Sequence, residues 1–145
     1  MDSLQIKTVG YQAEIAAIKH IRTKVFQEEQ GVSAELEFDG LDADTTHFLA
    51  YINHEAVGTA RIREIDRDTT KIERLAVLPQ ARKQGIGKKL MSAALEVISD
   101  QNKIRAIVYS QEYITPLYQG LGFEIVGEKF SEAGMSHVKM VKQLS

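Results

Sequence analysis

Apolar and polar residues change their spacing several times along this chain, and each change marks an element. Leu4-Gln5-Ile6-Lys7-Thr8-Val9 alternates at the strand period and predicts a first strand. Ile15, Ile18, Ile21, Val25 and Phe26 then recur three and four residues apart, which predicts an amphipathic helix ending at Gly31. The acidic stretch up to Thr45 has no apolar period and reads as irregular or weakly helical. Three strands are predicted next, over Thr46 to Ile52, Ala56 to Ile65 and Lys71 to Leu78. The short polar turns Asn53-His54-Glu55 and Asp66-Arg67-Asp68 join them as antiparallel hairpins, and Pro79 stops the third.

From Gly85 the period returns to that of a helix. Ile86, Leu90, Met91, Ala94, Leu95 and Ile98 fall on one face, and Asp100-Gln101-Asn102 closes the element. Ile104 to Tyr109 follows as a strand, parallel to Lys71–Leu78 because a helix connects the two. Tyr113 to Leu121 predicts a short helix capped at Gly122, and Phe123 to Val126 with His137 to Val141 predicts a closing hairpin. The order β-α-β-β-β-α-β-α-β-β implies an α/β domain built on a mixed sheet.

Composition narrows the class. A chain of 145 residues corresponds to one domain at roughly 150 residues per domain. Its 43% apolar and 26% charged residues suit a globular protein rather than a disordered one. No apolar run approaches the roughly 18 residues of a membrane helix, so no membrane partner is expected. Met1-Asp2-Ser3-Leu4-Gln5 lacks the basic start and apolar core of a secretory signal, which makes the cytoplasm the expected location. With no cysteine there is no disulfide, thiol nucleophile or Cys-ligated metal, and no His/Asp/Glu spacing suggests another metal site. The net charge of −2 gives no general attraction to nucleic acid, and the basic cluster spans one turn rather than a stripe.

That cluster lies in the most informative segment. Strand residues Leu75-Ala76-Val77 lead through a turn to Arg82-Lys83-Gln84-Gly85-Ile86-Gly87-Lys88-Lys89, with two glycines where the helix starts. A helix start presents unpaired N–H groups and a partial positive charge, and glycine lets a large anion approach them. Cations at this end oppose the helix dipole by about 0.3–1 kcal/mol each, a cost that a bound polyanion reverses. A dinucleotide fingerprint would need a third glycine where Leu90 stands, and the Gly122 to Gly127 spacing runs on as Glu128-Lys129 rather than the Lys-Ser/Thr of a Walker loop.

Arg82-Lys83-Gln84-Gly85-Ile86-Gly87 resembles the Gln/Arg-x-x-Gly-x-Gly/Ala signature of the GNAT (GCN5-related) acetyltransferases. Ser110-Gln111-Glu112-Tyr113-Ile114-Thr115-Pro116-Leu117-Tyr118-Gln119-Gly120-Leu121-Gly122-Phe123 is similar to a second segment of that superfamily, with Ser110, Ile114 and Leu117 as departures. Residues 25–42, with His47 and Arg61, resemble a largely uncharacterised bacterial subgroup. The resemblance implies a six- or seven-stranded mixed sheet, splayed between its fourth and fifth strands, with acetyl-CoA as donor substrate. It implies that Arg82, Lys83, Gln84, Gly85, Ile86, Gly87 and Lys88 cradle the pyrophosphate, and that Leu75, Ala76 and Val77 pair with the pantetheine arm and offer N–H groups to the oxyanion. Gln111, at the end of its strand, is a further candidate for touching cofactor or substrate, or a plain strand cap. Members of the superfamily often dimerise, but nothing in this sequence selects an interface.

The chemistry expected is direct acetyl transfer to a primary amine of a small molecule or peptide. Tyr118 is the candidate general acid, since a phenol with pKa about 10 keeps its proton when a thiol near 8.5 has begun to lose its own. Glu73 is the candidate base acting through water; strand alternation places it with Leu75 and Val77, opposite Arg74 and Ala76, and an ion pair with Arg61 or Arg63 is its alternative role. His47 is a candidate for assisting deprotonation or orienting the acceptor, with a structural role as the alternative. His20, His54 and His137 have no partner pattern and suggest surface or packing roles. The resemblance places Glu28, Glu29, Glu35, Glu37 and Asp39 in the acceptor-binding segment, where carboxylates would favour a cationic amine. A non-catalytic acyl-CoA sensor and an acyltransferase using longer donors are the other classes compatible with these residues.

Overall fold

The computed structural model describes residues 3–144. In chain order the elements are β1 (Leu4–Gly10), α1 (Ile15–Arg22), α2 (Ala34–Glu37), β2 (Thr46–Ile52), β3 (Glu55–Glu64), β4 (Thr69–Val77), α3 (Ile86–Asp100), β5 (Arg105–Gln111), α4 (Thr115–Gly120), β6 (Glu124–Glu132) and β7 (Met135–Gln143). The strands form one seven-stranded sheet in the order β1-β2-β3-β4-β5-β7-β6. Every neighbouring pair is antiparallel except β4 and β5, which are parallel, as their helical connection requires.

Each face of the sheet buries one helix. The apolar stripe of α3 (Ile86, Leu90, Met91, Ala94, Ile98) packs on Phe48, Ile62, Ile72, Val108 and Met140. On the other face Ile18, Ile21 and Val25 cover Leu49, Ala76 and Leu78. Helix α3 sits so close to β3 that a Cβ on Gly58 would lie 3.0 Å from Leu90 Cδ1 and 3.2 Å from Ile86 Cγ2. Gly58→Ala should therefore overpack this junction, with a loss of about 1–3 kcal/mol in urea-unfolding stability; a loss below 0.3 kcal/mol would show that α3 shifts freely.

Three features depart from the expected pattern. Past Arg22 the helix widens into a π-helical segment over Thr23–Glu29 before turning at Gly31. The last hairpin is longer than its apolar residues suggest: β6 is exposed along most of its length, so it carries little hydrophobic signal. Ala133 and Gly134 both take positive φ (52° and 76°) and make the two-residue turn that joins β6 to β7.

The third departure shapes the centre of the sheet. Thr59 pairs with Ala76 and Arg61 with Glu73, so Ala60 alone lies opposite Arg74 and Leu75. This is a β-bulge, and Arg74 takes the left-handed conformation (φ 57°). The extra residue breaks the alternation. Glu73 and Arg74 both contact groups on the α1–α2 side, while Leu75 and Val77 pack against the core beneath α3. The expected grouping of Glu73 with Leu75 and Val77 is thus corrected by one inserted residue.

Candidate active site

Strands β4 and β5 pair only from Thr69↔Arg105 to Lys71↔Ile107. Beyond that point they part, and β5 stays paired with β7 on its far side. The gap opens a cleft of about 220 Å³. The π-helical segment and α2 roof it, α4 closes its base, and the β6–β7 turn forms its outer wall. Leu75 and Gln111 stand on its two strands, and Tyr118 reaches it from α4.

The turn before α3 lies just past the open end of β4. Gly85 takes φ 75° at the helix N-cap, and Lys83 takes φ 65° before it. No acidic residue stands in the helix's first turn. Lys83, Gln84 and Lys88 are exposed, whereas Ile86 is buried in the core. A Cβ on Gly87 would lie 4.0 Å from Leu75 Cδ2 and Leu117 Cδ2, an ordinary contact distance that places this glycine beside β4 and α4. Arg82 donates to Val77 O at 2.9 Å and to both oxygens of Glu29, tying the turn to the end of the π-helical segment. Bare N–H groups, exposed cations and absent side-chain bulk are what a pyrophosphate needs.

Tyr118 is 7% exposed, with its ring edge-on to Phe123 at 5.9 Å. Burial pushes its phenol up to about 12, so it keeps its proton throughout the neutral range.

Glu73 also lines the cleft, but its oxygens are engaged. Arg61 holds Oε2, and Oε1 lies 2.9 Å from Arg63 Nη2 and 3.4 Å from Lys71 Nζ. Lys71 is in turn stacked over the Tyr109 ring, 3.7 Å from its centroid. Burial is the main reason its ammonium is pushed down to about 8, and Arg63, Arg74 and Arg61 add to the effect.

These groups continue into a charged network beneath the cleft. Arg22 binds Glu37 and Asp42; Arg61 binds Asp39 and Asp42 at 3.0 and 3.1 Å; Arg74 reaches Glu37 O, Leu36 O and Asp39. Burial works to raise the Asp39 carboxyl, but hydrogen bonds from Arg61 and the Leu41 N–H hold it well below the usual carboxylate range. The network fastens residues 36–42 to the sheet on the strained bulge.

His47 belongs to this network rather than to the cleft. It is fully buried, and Nε2 lies 3.0 Å from Asp42 O and 3.1 Å from Thr45 Oγ1. Burial pushes its imidazole down, toward the neutral form. Glu37 is the one member of the acidic segment that lines the cleft, while Glu28, Glu29, Glu35 and Asp39 lie outside its lining. His137, which offers no signal in sequence, does line the cleft. Its proximity to the site depends on the length and turn of the β6–β7 hairpin. Among the described residues no His/Cys/Asp/Glu group could hold a metal ion, and no helix is long and apolar enough to cross a membrane.

The mixed seven-stranded sheet splits between β4 and β5 beside a helix start that carries two glycines and exposed cations, and known proteins share this fold. Residues 7–144 match the family model described as an acetyltransferase (GNAT) domain. The chain is 34% identical to the uncharacterized protein YyaT of Bacillus subtilis, over 98% of this chain and 97% of that one. The crystal structure of Escherichia coli ElaA superposes with a TM-score of 0.85 at 27% identity, covering 97% of this chain and 99% of that one. An acyl-CoA N-acyltransferase from Pseudomonas aeruginosa does so with a TM-score of 0.85 at 26% identity and the same coverage. The chain belongs to the GNAT acetyltransferase family.

Proposed function

We propose that this chain is a cytoplasmic, single-domain N-acetyltransferase that moves acetyl from acetyl-CoA directly to a primary amine of a small molecule or peptide. The observation that carries this reading is the placement of Tyr118 in the cleft between β4 and β5, beside the open phosphate-binding turn. Residues 82–88 would hold the pyrophosphate, and backbone groups of Leu75, Ala76 and Val77 would meet the pantetheine arm and the thioester oxygen. Gln111 donates to Gln30 Oε1 at 3.0 Å, and its own Oε1 is buried without a partner, ready to accept an N–H from cofactor or acceptor.

The amine attacks the thioester carbon, the C–N bond forms, and the C–S bond breaks. Tyr118 gives its proton to the departing thiolate and recovers one from the nitrogen that becomes the amide. Preorganised N–H donors at the β4 bulge would stabilise the oxyanion between these steps.

The test is thermal unfolding with acetyl-CoA, CoA, ATP and NADH, each near 100-fold above a micromolar Kd. Acetyl-CoA and CoA alone should stabilise the protein by about 2.7 kcal/mol, or roughly 5–15 °C. Absence of any shift with either would remove the donor assignment and every catalytic role built on it. A shift without thiol release on addition of amines would point to a sensor.

A further inference from the structure

We propose that His137 is the proton acceptor for the incoming amine, a role that rests on the acetyl-transfer reading above. An amine acceptor reaches a neutral cleft mostly as an ammonium and must lose a proton before it can attack. The groups that line the cleft with His137 and bear charge or titrate are Glu37 from α2, Lys71, Glu73 and Arg74 from β4, Tyr109 from β5 and Glu132 from β6, with the Tyr118 phenol at its base.

Most of these are already engaged. The Glu73 oxygens are held by Arg61 and Arg63. Glu37 Oε1 takes Arg22 and lies 3.4 Å from Arg74. Lys71 is stacked on Tyr109 and faces Glu73. Arg74 is bound to the backbone of residues 36 and 37.

His137 differs in the state of its ring. Nδ1 lies 2.9 Å from Met135 O. A carbonyl can only accept, so Nδ1 carries the hydrogen and the neutral ring keeps its lone pair on Nε2. The ring is held in place by stacking on Phe130 at 5.9 Å and is 6% exposed. Nε2 lies 3.6 Å from Glu132 Oε2, too far for a hydrogen bond in the neutral state but placed to stabilise the imidazolium. A tautomer fixed by the Met135 carbonyl at Nδ1 leaves Nε2 free to take a proton, with the Glu132 carboxylate 3.6 Å from that same nitrogen.

The proton passes from the acceptor ammonium to Nε2, leaving the neutral amine that forms the C–N bond; the imidazolium then releases it to water. Overall the transfer yields amide, free thiol and one proton.

The test compares two probe amines at pH 7 by thiol release: benzylamine, an ammonium at that pH, and hydroxylamine, which is already neutral there. His137→Gln should lower kcat with benzylamine by about 10²–10³ while hydroxylamine turnover stays within a few-fold. The acetyl-CoA-induced thermal shift should be unchanged. Added imidazole should restore part of the benzylamine rate. An equal loss with both amines, no loss with either, or a benzylamine-selective loss in Lys71→Met instead would overturn the proposal. So would wild-type protein that acetyl-CoA stabilises but that turns over neither amine. Wild-type protein that acetyl-CoA does not stabilise would instead overturn the donor reading beneath it.

Discussion

Tyr118→Phe should lower kcat and kcat/KM together by about 10²–10⁴ while leaving acetyl-CoA binding and the folded structure intact. The substitution removes one oxygen from a ring that packs edge-on to Phe123 and leaves that packing alone. No hydrogen bond among the described residues depends on the hydroxyl, so losing it leaves no orphaned partner. Tyr118 lines the cleft and its hydroxyl is not among the buried unpaired polar atoms, so the midpoint of thermal unfolding should hold steady. The pH profile gives a second check. With the phenol pushed up to about 12, the acid form dominates at every lower pH, so Tyr118 should contribute no alkaline limb below about pH 11. A rate within three-fold of wild type at saturating amine would assign Tyr118 to packing and leave the thiolate to be protonated by water.

The sequence is legible wherever a residue's fate is decided by its near neighbours. Thr46 to Ile52 is mostly apolar because both sides of β2 meet a core, Phe48 and Ala50 on one face and Leu49 on the other, and its ends agree with the observed strand. The α3 stripe and the parallel crossover into β5 follow from the same local rules. The glycine-bearing turn before α3 is legible as a helix start because its glycines and cations are adjacent in the chain.

What stays hidden depends on distant partners. The bulge at Arg74 carries no glycine; its left-handed backbone is held by guanidinium contacts to residues 36, 37 and 39, which lie far away in sequence. His137 enters the cleft only because β6 and β7 run on to Ala133 and Gly134, and exposed β6 has little apolar pattern to reveal that length. His47 and Glu73 look alike in sequence as polar residues on central strands. The difference between an enclosed imidazole and a cleft carboxylate held by cations arises from residues on other elements.

Arg61→Met should cost about 3–5 kcal/mol of unfolding free energy, the largest stability effect expected in this chain. Arg61 is wholly buried at the centre of the network, where it joins Asp39, Asp42 and Glu73 from two segments. Methionine fills most of its volume, so the loss measures uncompensated carboxylates rather than a cavity. Arg22 retains Asp42, and Arg63 with Lys71 retains Glu73, so Asp39 loses the most. The pH dependence has a definite sign. Asp39 and Asp42 titrate below their unfolded values near 3.9, so their contribution is complete above about pH 5 and fades as pH falls through the folded values. Without Arg61 the burial of Asp39 is offset only by the Leu41 N–H and Arg74, while Asp42 keeps Arg22, so Asp39 above all protonates earlier and the acid-unfolding midpoint should move to higher pH. The effect should reach the site as well, because Arg74 holds the β4 bulge by gripping the same segment that Arg61 anchors through Asp39. At pH 7 the variant should therefore show weaker acetyl-CoA stabilisation than wild type, although Arg61 lies outside the cleft lining. Urea unfolding at pH 7 and pH 4 measures both parts, and a loss below 1 kcal/mol at pH 7 would show that the remaining arginines close the network without it.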